Sequence, residues 1–162
     1  MKTTLMYTIL VVLLVPSIGA GVEDKRANQV DPHRTTIIGV AAGYKESDVV
    51  KILGKPRSVT SGYSELEDKP WKQLHYNDAR INFIDSEIYG LSCVGVHCAT
   101  ERGLKIGDPR AKVIQAYGAG NQPYPGASED TLSYPLTGSD VYLVFVFRNQ
   151  KVIEIRFFMD FS

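Results

Sequence analysis

The feature that most constrains this chain is an internal repetition at a spacing of 64 residues. Gly39-x-x-x-Gly43 leads to Val49 and Gly54, and Gly103-x-x-x-Gly107 leads to Val113 and Gly118 at identical spacings. The same offset relates Ile81 to Phe145, Phe83 to Phe147, Ile88 to Val152 and Leu91 to Ile155. One coincident glycine pair is easily accidental, whereas eight positions in one register are not. The natural division is a first unit at residues 35–98 and a second at 99–162, preceded by a polar segment at 21–34.

Within each unit the apolar spacing predicts a helix and then strands. Val49, Ile52 and Leu53, and in the second unit Val113, Ala116 and Tyr117, fall at helical spacing and predict one-faced helices of about three turns. Asp108 is placed to cap the second helix, with Pro109 at its first helical position. Gly54 and Gly118 end the helices in a left-handed conformation. These glycines read as backbone geometry, since no lysine follows in a nucleotide-binding loop pattern. Strands are expected at 73–77, 80–85 and 87–93, and again at 131–136, 141–148 and 151–161, with Asn77-Asp78, Asp85-Ser86 and Asn149-Gln150 at the turns. Closely spaced strands pair as antiparallel hairpins. The expected fold class is α+β: two tandem helix-plus-antiparallel-meander units, most simply joined into one twisted sheet with helices on one face.

The N-terminus reads as an export signal. Lys2, the apolar run from Leu5 to Val15, Pro16, and the small Gly19 and Ala20 predict a signal peptide at residues 1–20, cut after Ala20. The competing reading is an uncleaved anchor, but Pro16, Ser17, Gly19 and Gly21 interrupt the run, and a span needs about 20 predominantly apolar residues. The only cysteines are Cys93 and Cys98, so no lipid anchor at the mature terminus is expected. Cleavage leaves 162 − 20 = 142 residues, and losing Lys2 changes 18 positive and 18 negative side chains to 17 and 18. Nothing in that balance draws the protein to nucleic acid or to an anionic membrane. An exported location, periplasmic or secreted, follows from the leader.

Gly43, Val49, Leu53-Gly54 and Pro56, followed by Trp71, Tyr76 and the hairpin from Phe83 to Ile88, resemble the small outer-membrane lipoproteins of the SmpA/OmlA type. The tandem duplication is similar to the β-lactamase inhibitory protein-like superfamily. That resemblance covers residues 35–162 and implies helix-and-meander units forming a concave sheet that grips another protein. It also implies core roles for Trp71 and Tyr76, of which Trp71 otherwise reads as an aromatic anchor beside Tyr63 and Tyr124. The chain departs from the lipoproteins in lacking a lipidated cysteine, and from the inhibitor in having one close cysteine pair.

Cys93-Val-Gly-Val-His-Cys98 is the sharpest local feature, and an even, close pair in an exported chain predicts a disulfide. A redox dithiol, a metal site with His97, and free thiols are the alternatives, although redox motifs usually hold two residues between the cysteines and zinc wants four ligands. His33, His75 and His97 are the only side chains with an ordinary pKa near neutrality. Gly62-Tyr63-Ser64-Glu65-Leu66 fails a nucleophile-elbow pattern at its last position, and Glu65, Glu67 and Asp68 read as a solvated cluster. No enzyme activity, cofactor or metal is expected.

Period two places Val141, Leu143, Phe145 and Phe147, and the odd residues from Ile153 to Phe161, in the core. Tyr142, Val144, Val146 and Phe158 then form an apolar strip on the opposite face, bounded by Arg148, Glu154 and Arg156, with Tyr63 and Tyr124 in flanking loops. The positions of the first unit equivalent to Val144 and Val146 are Arg80 and Asn82, so the two halves differ on this face. Such a strip reads either as a surface for a protein partner or as one covered by a loop, the N-terminal segment or a second copy in a homo-oligomer. The expectation is a non-catalytic exported protein-binding module, in its sharper form an inhibitor or immunity protein against an envelope or competitor enzyme. The alternatives are an accessory role in envelope assembly and a thiol-dependent redox protein.

Overall fold

The computed structural model describes residues 30–121 and 130–159. Its elements run α1 (Glu46–Leu53), β1 (Ser58–Ser64), β2 (Lys69–His75), β3 (Ala79–Ile84), β4 (Glu87–Cys93), α2 (Arg110–Tyr117), β5 (Asp130–Pro135), β6 (Val141–Arg148) and β7 (Lys151–Met159). The leader, Tyr124 and Phe161 lie outside the described residues.

The expectation of two tandem helix-plus-meander units is overturned. The strands form one seven-stranded antiparallel sheet in the order β1-β2-β3-β4-β7-β6-β5, and each helix is only eight residues long. Such helices make little more than two turns and bury few side chains: Val49 from α1, and Val113 and Tyr117 from α2. Ile52, expected on the buried face, is 45% exposed. The halves are also unequal, with four strands before α2 and three after it. The last strand of the chain does not close a unit of its own. It pairs with β4 through Gly90↔Phe158, Leu91↔Phe157, Ser92↔Arg156 and Cys93↔Ile155, so both halves share a single core.

That core lies on the sheet face that the helices cover. Leu74, Ile81, Phe83, Leu143, Phe145 and Ile155 are all at most 2% exposed and share one cluster with Val49 and Val113. The chain before α1 joins the same cluster, with Ile37 and Val40 wholly buried and bonded to each other's backbone. Register shifts interrupt two hairpins, between Asn82 and Phe83 and between Val146 and Phe147. A bulge of this kind turns one strand by a residue relative to its partner. The second one places Val152 opposite Phe147, so Val152 is buried and Ile153, expected in the core, is only half-buried. The turns between these strands, Asp85-Ser86 and Asn149-Gln150, have positive φ at both central residues, the geometry that matches hairpin twist.

Gly54 and Gly118 end the helices with φ of 77° and 87°, but with ψ of −166° and −173°, a region open essentially to glycine alone and distinct from the expected left-handed cap. Asp108 does not cap α2, whose cap residue is Pro109. Its Oδ2 accepts instead from the Lys105 amide and the Lys112 ammonium, each at 2.8 Å.

An aromatic cluster seats α2 on the sheet. Tyr117 lies 5.3 Å from Tyr134 and 5.5 Å from Phe145, ring centre to ring centre, and the Tyr134 hydroxyl donates to the Gly118 carbonyl at 2.9 Å. Burial disfavours the phenolate, so the Tyr134 hydroxyl is pushed up to about 12, with Arg110 opposing the shift weakly, and Tyr117 is pushed up further by the same cause. A folded-state pKa above the unfolded value of about 10 means that this contribution to stability is intact below that pH and is lost as pH rises. Denaturant midpoints measured against pH should therefore fall between about pH 10 and about pH 12, and Tyr134→Phe should flatten part of that fall. An alkaline profile that Tyr134→Phe leaves unaltered would count against this packing.

Candidate functional site

The sheet face opposite the helices carries the side chains not spent on the core, and its two halves differ. On β1 to β3 it is a polar ladder: Thr60 Oγ1 lies 3.0 Å from His75 Nε2, Gln73 Nε2 donates to Asn82 Oδ1, and Arg80 stands exposed beside them. On β5 to β7 it carries Thr131, Ser133, Val144 and Val146, all at most 4% exposed. The expected open apolar strip is corrected accordingly. Val144 and Val146 are buried within the chain and offer no contact surface.

What remains accessible of that strip lies at the seam where β4 meets β7. Tyr142 and Phe158 are half-buried and directly opposite each other across β6 and β7, and Phe158 faces Gly90 on the other side. Gly90 has no side chain to fill the space, and a Cβ there would sit 3.3 Å from Asn82 Nδ2. The result is a shallow cleft of about 270 Å³ lined by Asn82, Tyr89, Gly90, Ser92, Arg156 and Phe158. Arg156 reaches Glu154 at 3.8 Å, which supplies a charged rim.

The other expected partner residues are dispersed. Arg148 is exposed at the end of β6, opposite Lys151 in the hairpin and away from the seam. Tyr63 is 58% exposed but points to the helix-covered side, as its register with Pro70 and that of Val59 with buried Leu74 require; its hydroxyl donates to Asp68 Oδ1 at 2.7 Å. Trp71 is half-buried on the outer face, laid across Gly62, where a Cβ would meet the indole at 2.8 Å. Tyr76 packs against the core and donates to the Gly54 carbonyl at 3.1 Å. The sequence pattern missed β1 and this Trp71–Gly62 stack, because the residues of β1 bury nothing that a hydrophobic period could register.

Cys93 and Cys98 form a disulfide, and both residues are wholly buried. It closes a tight loop against the β2–β3 turn: the Val94 amide donates to the Asp78 carbonyl at 2.9 Å, and a side chain at Gly95 would collide with Asp78. Burial shields the sulfurs from dissolved thiols. His33 lies in the segment before α1, His75 on β2, and His97 exposed in the disulfide loop, so the three imidazoles are on separate elements. Among the described residues no group of three or more His, Cys, Asp or Glu could hold a metal. No helix among them is long and apolar enough to cross a membrane.

No protein-family model matches the chain, and no curated protein matches it. Solved structures do share its fold. A cysteine-rich secretory protein from Staphylococcus aureus subsp. aureus Mu50 superposes with a TM-score of 0.55 at 16% identity, over 84% of this chain and 48% of that one. An extracellular protein containing a SCP domain from Bacillus anthracis str. Ames superposes with a TM-score of 0.50 at 10% identity, over 73% of this chain and 44% of that one. At these identities the likeness is one of fold alone, and this chain spans less than half the length of either protein.

The disulfide yields a direct prediction. Thiol labelling of the native protein should find no reactive cysteine, and labelling after denaturation and reduction should find both. Replacing both cysteines with serine should lower stability by roughly 2 kcal/mol in urea unfolding, the loop-entropy worth of so short a closure. Two thiols that react freely in the native state would contradict this structure.

Proposed function

We propose that the chain is an exported, non-catalytic module that binds another protein through the outer face of its sheet. The observation that carries this reading is the Tyr142–Phe158 pair at the seam beside Gly90. Two aromatic side chains held half-buried on adjacent central strands lose little conformational freedom on docking, and aromatic anchors of this kind supply most of the energy in protein interfaces. The cleft next to them, with Asn82 and Arg156 in its lining, adds polar groups able to fix the orientation of a partner.

Export is supported by the leader expected at residues 1–20 and by the disulfide, which belongs to an oxidising compartment. The two similar solved proteins are described as secretory and extracellular, which fits the same reading. Its sharper form is an inhibitor or immunity protein acting on an enzyme of the periplasm or the medium. That form draws only on the sequence resemblance to the β-lactamase inhibitory protein, which grips an enzyme with its sheet.

The test is a comparison of partner recovery from envelope and medium fractions by wild type and by Tyr142→Asp/Phe158→Asp. Both substitutions fall on half-buried side chains, so circular dichroism must first establish that the variant is folded. Losing a pair of aromatic anchors should weaken binding by about thirty-fold or more. A folded variant that recovers the same partner at undiminished yield would refute the seam as the binding surface.

A further inference from the structure

The two edges of the sheet are finished differently. At β5 the free side is bonded: the Val30 amide donates to the Pro135 carbonyl at 3.1 Å, and Asn121 and Ser133 exchange bonds of 2.8 and 3.2 Å. At β1, Ser58–Ser64, six of seven residues are exposed, and among the described residues only β2 pairs with it. Natural edge strands are usually guarded by an inward charge, a proline, a bulge or a covering segment. The sequence Ser-Val-Thr-Ser-Gly-Tyr-Ser contains neither charge nor proline, and its register with β2 runs unbroken over all seven residues. The Trp71 indole lies across Gly62, covering the outer face at the one position of β1 that has no side chain of its own.

The strand and its flanks are also self-complementary. A two-fold axis through Ser61 sets Ser58 opposite Ser64, Val59 opposite Tyr63, and Thr60 opposite Gly62 of a second copy. Val59 and Tyr63 are 50% and 58% exposed and lie on the same sheet face, so this register places each apolar side chain against the other's counterpart. Lys55 and Arg57 precede the strand and Glu65 and Glu67 follow it, all exposed. The same axis therefore brings the basic flank of one copy to the acidic turn of the other at both ends.

We propose that two copies of this chain pair through β1, antiparallel about Ser61, to make one sheet continuous across both. The inference rests on the edge and its flanks and is independent of the outer-face reading. Edge pairing of a single strand buries little beside the roughly 1,000 Å² of a stable interface, so the dimer is reversible and depends on concentration.

Two complementary variants test it by sedimentation equilibrium. Lys55→Glu/Arg57→Glu makes both flanks acidic, and Glu65→Arg/Glu67→Lys makes both basic. Wild type should approach twice the chain mass as concentration rises. Each variant alone should be monomeric, with self-association weakened by about ten-fold or more, while an equimolar mixture should dimerise as wild type does. Wild type that stays monomeric throughout would overturn the proposal and leave this edge to an extended peptide or a different protein. Self-association as strong as wild type in either variant alone, or a mixture that fails to restore it, would overturn it equally.

Discussion

Everything in this fold depends on the pairing of β4 with β7. Through Gly90↔Phe158 to Cys93↔Ile155, the last strand of the chain is stitched to the end of its first half. Neither half could bury its apolar face well alone, because among the described residues each brings one helix of eight residues and three or four strands. Joined, they share a core running from Leu74 on β2 to Leu132 on β5. The seam also decides where the edges fall, leaving β1 and β5 outermost. The disulfide reinforces the same place, since Cys93 is the last residue of β4 and lies opposite Ile155.

The seam is where the accessible chemistry of the outer face lies as well. Most of the polar ladder of β1 to β3 is internally hydrogen-bonded, and the valines of β6 are buried, so apart from Asn82 at the cleft both offer a partner little. Between them the missing side chain of Gly90 leaves a depression beside Phe158, which Tyr142 faces from β6. One strand pairing thus accounts both for the unity of the core and for the position of the candidate site.

The sequence was most legible where burial leaves a period. The core residues of β3 and β6, Ile81, Phe83, Leu143, Phe145 and Phe147, stand where alternation placed them, because alternate side chains point to the helix-covered face. Alternation cannot show a bulge, so Ile153 was expected where Val152 sits. It is also silent for β1, whose residues are almost all exposed and which therefore read as a loop. Spacing identified Val49 and Val113 as buried helix positions but overstated the length of both helices, which fully bury one side chain in α1 and two in α2. For the site, period two gave the facing of Tyr142, Val144, Val146 and Phe158 but carried no information on what lies over each. Cover is a tertiary property, and it removed the two valines. Tyr63 was misplaced for a related reason: with β1 unrecognised, nothing set its register against Leu74 and Pro70.

The chain is one cooperative body held at the β4–β7 seam, and native-state hydrogen exchange reads that cooperativity amide by amide. Amides of Leu91, Cys93, Ile155 and Phe157 should be among the slowest to exchange. They should share a single opening free energy with the buried strands β3 and β6 on either side, since the core cannot open on one side of the seam alone. Early exchange at the seam, with residues 35–98 and 99–162 opening at two separate free energies, would show two independent units and contradict the account.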